Sequence, residues 1–496
     1  MQESQAGRPR PGERLLRRWR RWGYRPIHLL IPRPRVTSQR AAPLVLIYSF
    51  AFLVAAGTAL LLLPVSNTQG EVTPFLHALF TATSAVTVTG LVVVNTGAYW
   101  SVVGQAFILG LVFLGGLGFL IGATFLLTLV GRRITLSNRL LLRDALGQLH
   151  PGGVVRLARR IVFIAVAIQL LGAGLLWLRL SADLDGGQRA WQALFHSVSA
   201  FNNAGFAILP DSASLSRFRG DTVLLLTMAA LIVLGGISYA VLADLFEVRR
   251  REGFPMPRGI ALLRAIRLRR FSRLTLDTKV VLTLSLALWF LGTMITFAAE
   301  YGNADTLGGL PVDAKLLDSF FQSVSLRSAG FATMDYGGVR DMTLFFSLAL
   351  MFIGGVSAST AGGIKVNTLG VLLWAVWSSL RGRSHVVAFG REIPEGQLHR
   401  ALVVLVTAVF LVFGLALALT LTEGFTFLPT LFETVSAFGT VGFSTGITGD
   451  LSAGGQLVIS LTMFVGRLGP LTVALSLALR EETAHYRYPE ERVRIG

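Results

Sequence analysis

The amino-acid sequence predicts an all-α integral membrane protein of four repeated M1–P-loop–M2 units, with eight transmembrane helices and four re-entrant pore helices around a pseudo-four-fold pore. Three observations predict it. More than half of the 496 residues are apolar, 15% are charged and the mean hydropathy is positive, unlike a soluble domain of this size. Four stretches close in one phrase: HALFTATSAVTVTGL (77–91), QALFHSVSAFNNAGF (192–206), DSFFQSVSLRSAGF (318–331) and TLFETVSAFGTVGF (430–443). Their glycines, Gly90, Gly205, Gly330 and Gly442, are 115, 125 and 112 residues apart. Finally, Lys and Arg alternate along the chain, with 37 in segments 1–40, 131–160, 247–279, 365–400 and 480–496 against 6 in the intervening 64–104, 181–221, 301–343 and 423–456.

That asymmetry follows the positive-inside rule and predicts that both termini are cytoplasmic. It also accounts for the formal charge of +18 without nucleic acid, which is excluded as a partner. With no cysteine, the chain has neither a disulfide nor a thiolate metal site.

Residues 1–40 form a basic, Pro-containing arm rather than a cleavable signal, suited to contact with anionic lipid. Residues 41–130 make repeat 1, 131–246 repeat 2 with its preceding linker, 247–378 repeat 3 and 379–480 repeat 4; 481–496 is a cytoplasmic tail. A span needs about 20 apolar residues to cross about 30 Å of hydrocarbon. Segments 43–63, 102–130, 160–180, 222–246, 279–299, 342–378, 400–422 and 455–479 meet that requirement. Each repeated phrase lies between two of them, and a helix such as 75–86 reaches only about 18 Å at about 1.5 Å per residue. It therefore enters and leaves by one face, the face poor in Lys and Arg. Non-helical backbone at that depth is tolerated only where protein covers it or water lines it. The cytoplasmic stretch RGIALLRAIRLRRFSRL (258–274) reads as a basic interfacial helix.

A cation leaving water needs oxygens in place of its hydration shell, and rings of backbone carbonyls supply them without net charge. Aiming those carbonyls inward demands backbone angles that favour glycine, present in every repeat. Each half-helix also turns its partly negative C-terminal end to the axis, which favours cations. The candidate selectivity filter for a cation is Val88, Thr89, Gly90, Asn203, Ala204, Gly205, Ser328, Ala329, Gly330, Thr440, Val441 and Gly442.

The phrases SAFNNAGF (199–206) and SAFGTVGFS (436–444), the third loop shortened by one residue with Arg327, GGVSASTAGGIK (354–365) and MFVGRLGP (463–470) resemble the membrane subunit of the Trk/Ktr/HKT superfamily of potassium transporters, most closely the KtrB type. The resemblance covers about 43–480, and residues 1–40 hold no extra pair of spans of the kind usual in Trk-type members. It implies potassium uptake at the cell membrane, with glycine at position 90 accompanying potassium preference. It implies a homodimer with one pore per subunit and a cytosolic ring of nucleotide-binding regulatory subunits of KtrA/TrkA type. It implies a gate below the filter, formed here by Gly354, Gly355, Ser357, Ser359, Thr360, Gly362 and Gly363, with Lys365 following and Arg467 contacting the loop. No covalent cofactor is implied; K+ is the transported ion and Na+ a candidate stimulating ion.

The residues support the gate independently. Segment 342–378 is too long for one straight crossing, and its Gly- and Ser-rich middle is poor helix. Tight helix packing through small residues is the competing reading. Arg467 lies inside an apolar span, where an unpaired cation is costly, so it is expected to meet the loop's carbonyls or hydroxyls. Arg327 is expected to brace the filter from behind, pointing to a carboxylate such as Glu433 or Asp335; Asn202 and Asn203 are expected to brace the second loop, with an amide oxygen reaching the pore mouth as the alternative for one of them.

Two motifs are set aside. GGLGFLIG (115–122) mimics a dinucleotide fingerprint but sits inside an apolar span and reads as helix-packing glycine. His196 and Ser197 suggest a hydrolase, yet the matching positions are Thr81/Ala82, Gln322/Ser323 and Glu433/Thr434, so no acid–base pair recurs and an enzyme is excluded. The remaining alternative is a sodium-permeable or weakly selective cation transporter of the same fold.

Overall fold

Residues 41–118, 154–180, 186–209, 214–251, 271, 273–357 and 359–469 are described by the computed structural model. The basic arm, most of the 258–274 stretch and the tail 481–496 lie outside the described residues.

The described chain is helical, apart from a two-residue hairpin, β1 (Val387–Ala388) antiparallel to β2 (Arg391–Glu392) with Val387 opposite Glu392. Repeat 1 supplies α1 (Ala41–Leu61), α2 (Phe75–Thr87) and α3 (Val102–Leu117). Repeat 2 supplies α4 (Val154–Arg179), α5 (Gly186–Phe201), α6 (Thr222–Gly236) and α7 (Tyr239–Arg251). Repeat 3 supplies α8 (Leu276–Glu300), α9 (Val312–Ser325), α10 (Asp341–Phe352) and α11 (Val366–Leu380). Repeat 4 supplies α12 (Glu395–Thr422), α13 (Phe427–Phe438) and α14 (Ala453–Leu468).

Among the described residues, stretches of α1, α4, α8 and α12 are long and apolar enough to cross a membrane, and the bent pair α6–α7 makes a fifth candidate. These helices are apolar all round and expose large side chains, such as Phe52, Phe163, Phe290 and Phe410, each at least 64% accessible. Water would disfavour that exterior, whereas hydrocarbon is indifferent to it.

The expected second spans are not continuous helices. Segment 102–130 is helical to Leu117 and stops at Gly118, whose φ of +80° departs from helical geometry. Segment 455–479 stops in the same way at Leu468, before Gly469 with φ +85°. The continuations of both lie outside the described residues. Segment 222–246 divides into α6 and α7, which meet at 97°, and segment 342–378 divides into α10 and α11 around residues 353–365. The breaks fall at corresponding phrases, LGGLG (114–118), LGGIS (234–238), IGGVS (353–357) and VGRLG (465–469). Glycine removes the side chain that would shield a helix there and allows the positive φ at which two of the helices end.

The helices close into a ring. The helix before each break packs on the short helix of the next repeat: α3 on α5, α6 on α9, α10 on α13, and α14 back on α2. The buried cores follow the same cycle. Phe195, Ala204 and Phe206 of repeat 2 sit in the core of repeat 1, Phe321 and Phe331 in that of repeat 2, and Phe432, Phe438 and Phe443 in that of repeat 3. Phe80 and Leu91 of repeat 1 pack with Leu419, Ile459 and Met463 of repeat 4.

Candidate functional site: a ring of four glycine bends

Each short helix ends in one local construction. After α2, Thr89 N donates to Ser84 O at 2.8 Å; after α5, Ala204 N to Ser199 O at 2.8 Å; after α13, Val441 N to Ser436 O at 2.8 Å. The third loop is one residue shorter, so Ala329 N reaches Ser325 O at 2.9 Å. The same serines tie down the outgoing strand through their hydroxyls. Ser84 Oγ and Ser436 Oγ accept from Gly90 N (3.0 Å) and Gly442 N (3.2 Å), while Ser199 Oγ and Ser325 Oγ donate to Phe206 O (2.9 Å) and Phe331 O (2.8 Å). These serines were absent from the candidate site, although they recur at one position in all four phrases.

The backbone then alternates in a shared pattern. Val88, Asn203, Ser328 and Thr440 take φ of 58°, 58°, 88° and 47°, and Gly90, Gly205, Gly330 and Gly442 take φ of 90°, 69°, 72° and 95°. The intervening Thr89, Ala204, Ala329 and Val441 are fully buried.

The four bends meet in cyclic order. A methyl group added to Gly90 would lie 2.4 Å from Ala204 O, and one on Gly205 would lie 2.9 Å from Ala329 O. One on Gly330 would lie 2.3 Å from Val441 O, and one on Gly442 would lie 2.1 Å from Thr89 O, which closes the circle. All twelve filter candidates are therefore brought together, with carbonyls of one strand pressed on the glycine of the next. Beyond the glycines the bends open into a cavity of about 500 Å³, lined by all four glycines with Val92, Ala207, Ala332 and Ser444 among others. Arg219 and Asp335 are its charged lining residues.

Residues 353–357 and 359–365 meet the bends of repeats 3 and 4 at Ser328, Gly439 and Thr440, ahead of the ring glycines. Ile353 pairs with Ile364 in a parallel bridge, and Gly354 N donates to Ile364 O at 2.9 Å, so the loop is a closed lariat. Val356 N and Thr360 N donate to Gly236 O (3.3 Å) and Gly235 O (3.4 Å), at the break in repeat 2. Gly362 N donates to Ser328 Oγ at 3.0 Å, and a methyl at Gly362 would lie 2.1 Å from the Thr440 hydroxyl. Gly355 and Gly363 are buried, Ser357 N donates to Asn367 Oδ1 at 3.0 Å, and Ser359 Oγ donates to Val356 O at 2.7 Å. Lys365 Nζ donates to Ala361 O at 2.5 Å.

Arg467 meets the loop as expected, donating from Nη1 to Thr360 O. It also reaches repeat 1, donating from Nη2 to Gly115 O at 2.6 Å. Gly115 and Gly116, read as packing glycines, do pack closely: methyl groups there would lie 2.0 Å from Val86 O and 2.1 Å from Asn202 Oδ1. Their role as acceptors for Arg467 was not anticipated.

Arg327 corrects an expectation. It meets neither Glu433 nor Asp335; its Nη2 donates to Gly354 O at 3.2 Å and its guanidinium lies 5.4 Å from the Trp289 ring centre. Both carboxylates are engaged nearer home. Glu433 accepts from Ser444 Oγ, from Thr445 N at 3.2 Å and from Thr448 Oγ1 at 2.9 Å, bracing the strand after its own glycine. Asp335 accepts from Gly337 N at 2.9 Å. Asn202 donates to Val198 O at 2.9 Å, one turn back in α5, and the Asn203 amide, with its oxygen and nitrogen exchanged as the facing acceptors require, donates to Ala200 O and Ile232 O at 3.1 Å. Asn203 thus ties the second bend to α6, while the Asn202 bond stays at the end of α5.

Comparison with known proteins agrees with this architecture. The chain is 41% identical over 454 residues to the Ktr system potassium uptake protein B of Bacillus subtilis, covering 92% of this chain and 96% of the relative. It is 36% identical to the potassium/sodium uptake protein NtpJ of Enterococcus hirae, covering 92% and 98%. The crystal structure of the potassium transporter TrkH from Vibrio parahaemolyticus superposes with a TM-score of 0.67 over 90% of this chain and 86% of its own, at 17% identity, a likeness of fold. The family described as TrkH, cation transport protein, matches residues 38–487, and this chain belongs to it.

Proposed function

We propose that this protein takes up potassium ions through the ring of glycine bends, driven by the membrane potential. The observation that carries the reading is the cyclic contact of Gly90, Gly205, Gly330 and Gly442 with the carbonyl of the neighbouring bend. Main-chain oxygens at that ring replace the hydration shell of a monovalent cation, and the ends of α2, α5, α9 and α13 supply partial negative charge. An inside-negative potential contributes about 2.3 kcal/mol per charge per 100 mV, enough to accumulate such an ion. Relatives that share nearly their whole length with this chain are named for potassium uptake, and NtpJ for potassium and sodium, which motivates Na+ as the stimulating ion.

The finer architecture belongs to the same reading. The cavity is the extracellular vestibule; the 353–365 loop is the gate and blocks the inner end of the ring. Eight spans, four of them interrupted, place both termini in the cytoplasm. Two copies pair, each with its own pore, and a cytosolic nucleotide-binding ring acts on the gate. Rescue of a potassium-uptake-deficient bacterium at limiting potassium, with and without sodium and with the regulatory subunit supplied, tests the reading. Growth restored by the wild-type chain is expected. Confirmed membrane expression without rescue in either medium would overturn it.

A further inference from the structure

We infer that the Ser328 hydroxyl couples the position of the 353–365 loop to the affinity of the glycine ring for potassium, so that potassium is itself an effector of the gate. The inference rests on the filter and gate reading above and deepens it.

Ser328 occupies the position two before the ring glycine, matched by Val88, Asn203 and Thr440. Among the described residues it is the one member of that set whose side chain hydrogen-bonds the loop, accepting from Gly362 N at 3.0 Å. The same hydroxyl donates toward Thr440 O at 3.1 Å and Gly439 O at 3.3 Å, both in the strand of repeat 4. A single oxygen therefore joins the loop to a carbonyl of the neighbouring filter strand. The loop touches that strand at the same residue, since Gly362 abuts the Thr440 hydroxyl. Arg327, the preceding residue, holds the other end of the loop through Gly354 O. One short stretch of repeat 3 thus grips both ends of the gate.

Hydrogen bonds in series polarise one another. Donation from Gly362 N to the Ser328 oxygen strengthens the O–H as a donor, and a Thr440 carbonyl so engaged is a poorer ligand for an ion. When the loop departs, the chain of bonds lapses and the carbonyl is released to the ring. Coupling between two equilibria is reciprocal, so an ion that gains from the free carbonyl favours the departed loop.

The test is a double-mutant cycle on the full-length protein in lipid nanodiscs, with potassium titrated calorimetrically against a choline background. Ser328→Gly removes the hydroxyl and relieves the positive φ, so it does not threaten folding by strain. Gly362→Ala displaces the loop, because its methyl has no room beside Thr440. Each single change is expected to raise potassium affinity by about 2- to 10-fold, the range of one net hydrogen bond, and the double change by no more than the stronger single. Unchanged affinity in Ser328→Gly, or effects that multiply in the double variant, would overturn the coupling and leave the potassium reading intact. A wild-type protein that binds no potassium would overturn both.

Discussion

Arg467 Nη2 lies 2.6 Å from the carbonyl oxygen of Gly115, joining the last described helix to the end of α3 in the first repeat. Its other terminal nitrogen donates to Thr360 in the loop. One half-buried guanidinium therefore spans three repeats and donates to main-chain carbonyls where α3 breaks.

Replacement by lysine should not preserve this, because an ammonium gathers its three donors on one nitrogen, whereas the planar guanidinium reaches Thr360 O and Gly115 O from two separate nitrogens. Hydrogen bonds to charged groups contribute about 1.5–3 kcal/mol each. Arg467→Lys and Arg467→Gln are expected to lower the thermal unfolding midpoint and raise potassium leak from liposomes in the absence of the regulatory subunit. An unchanged midpoint together with unchanged leak would remove the role assigned to Arg467.

The ring glycines admit no side chain. At Gly442 a methyl would lie 2.1 Å from Thr89 O, and at Gly90 2.4 Å from Ala204 O, both on backbones with positive φ. Backbone strain of this kind costs about 1–3 kcal/mol, so the neighbouring carbonyl must shift. Gly90→Ser and Gly442→Ala should reduce the potassium-to-sodium flux ratio by about 10-fold or more, since about 1.4 kcal/mol of differential affinity is one decade. Flux ratios equal to wild type would show that these glycines do not set selectivity.

The serine ties make a milder prediction. Ser436→Ala leaves the main-chain bond from Val441 N to Ser436 O but deletes the acceptor for Gly442 N. One such bond contributes about 0.5–1.5 kcal/mol, so half-saturation for potassium should rise about 2- to 10-fold with little loss of stability. Collapse of folding in this variant would place the serine in the scaffold instead.

The glycines were legible because positive φ leaves a compositional trace, and four copies raise that trace above chance. Ser84, Ser199, Ser325 and Ser436 carry equal weight in the geometry but were passed over, since serine within a short helix has many uses. The breaks after α3 and α14 were hidden by apolar residues that run on past Gly118 and Gly469, so hydropathy reads an unbroken span. Arg467 could be assigned a carbonyl partner because a buried cation must have one. The partner of Arg327 could not, because the choice between Glu433 and Gly354 depends on which hydroxyls had already claimed the carboxylate.

Glu300 offers a test of the scaffold alone. Fully buried at the end of α8, it accepts from Asn303 Nδ2 (2.6 Å), Thr306 Oγ1 (2.7 Å), Arg340 N (3.1 Å) and Thr343 Oγ1. Glutamine replaces one acceptor oxygen with a donor and leaves a buried group unpaired, at about 1–3 kcal/mol. Glu300→Gln should lower the unfolding midpoint, while the potassium-to-sodium ratio of the surviving protein stays at the wild-type value. An unchanged midpoint would contradict the bonding described.

Potassium is expected to bind on the axis of the ring formed by Thr89, Ala204, Ala329, Val441 and their glycines. Anomalous diffraction from crystals soaked in a thallium or rubidium salt, each a potassium surrogate, tests it most directly. Density is predicted on that axis, within coordination distance of all four strands. Surrogate ions bound elsewhere, with the axis empty, would show that the ring is not the potassium site.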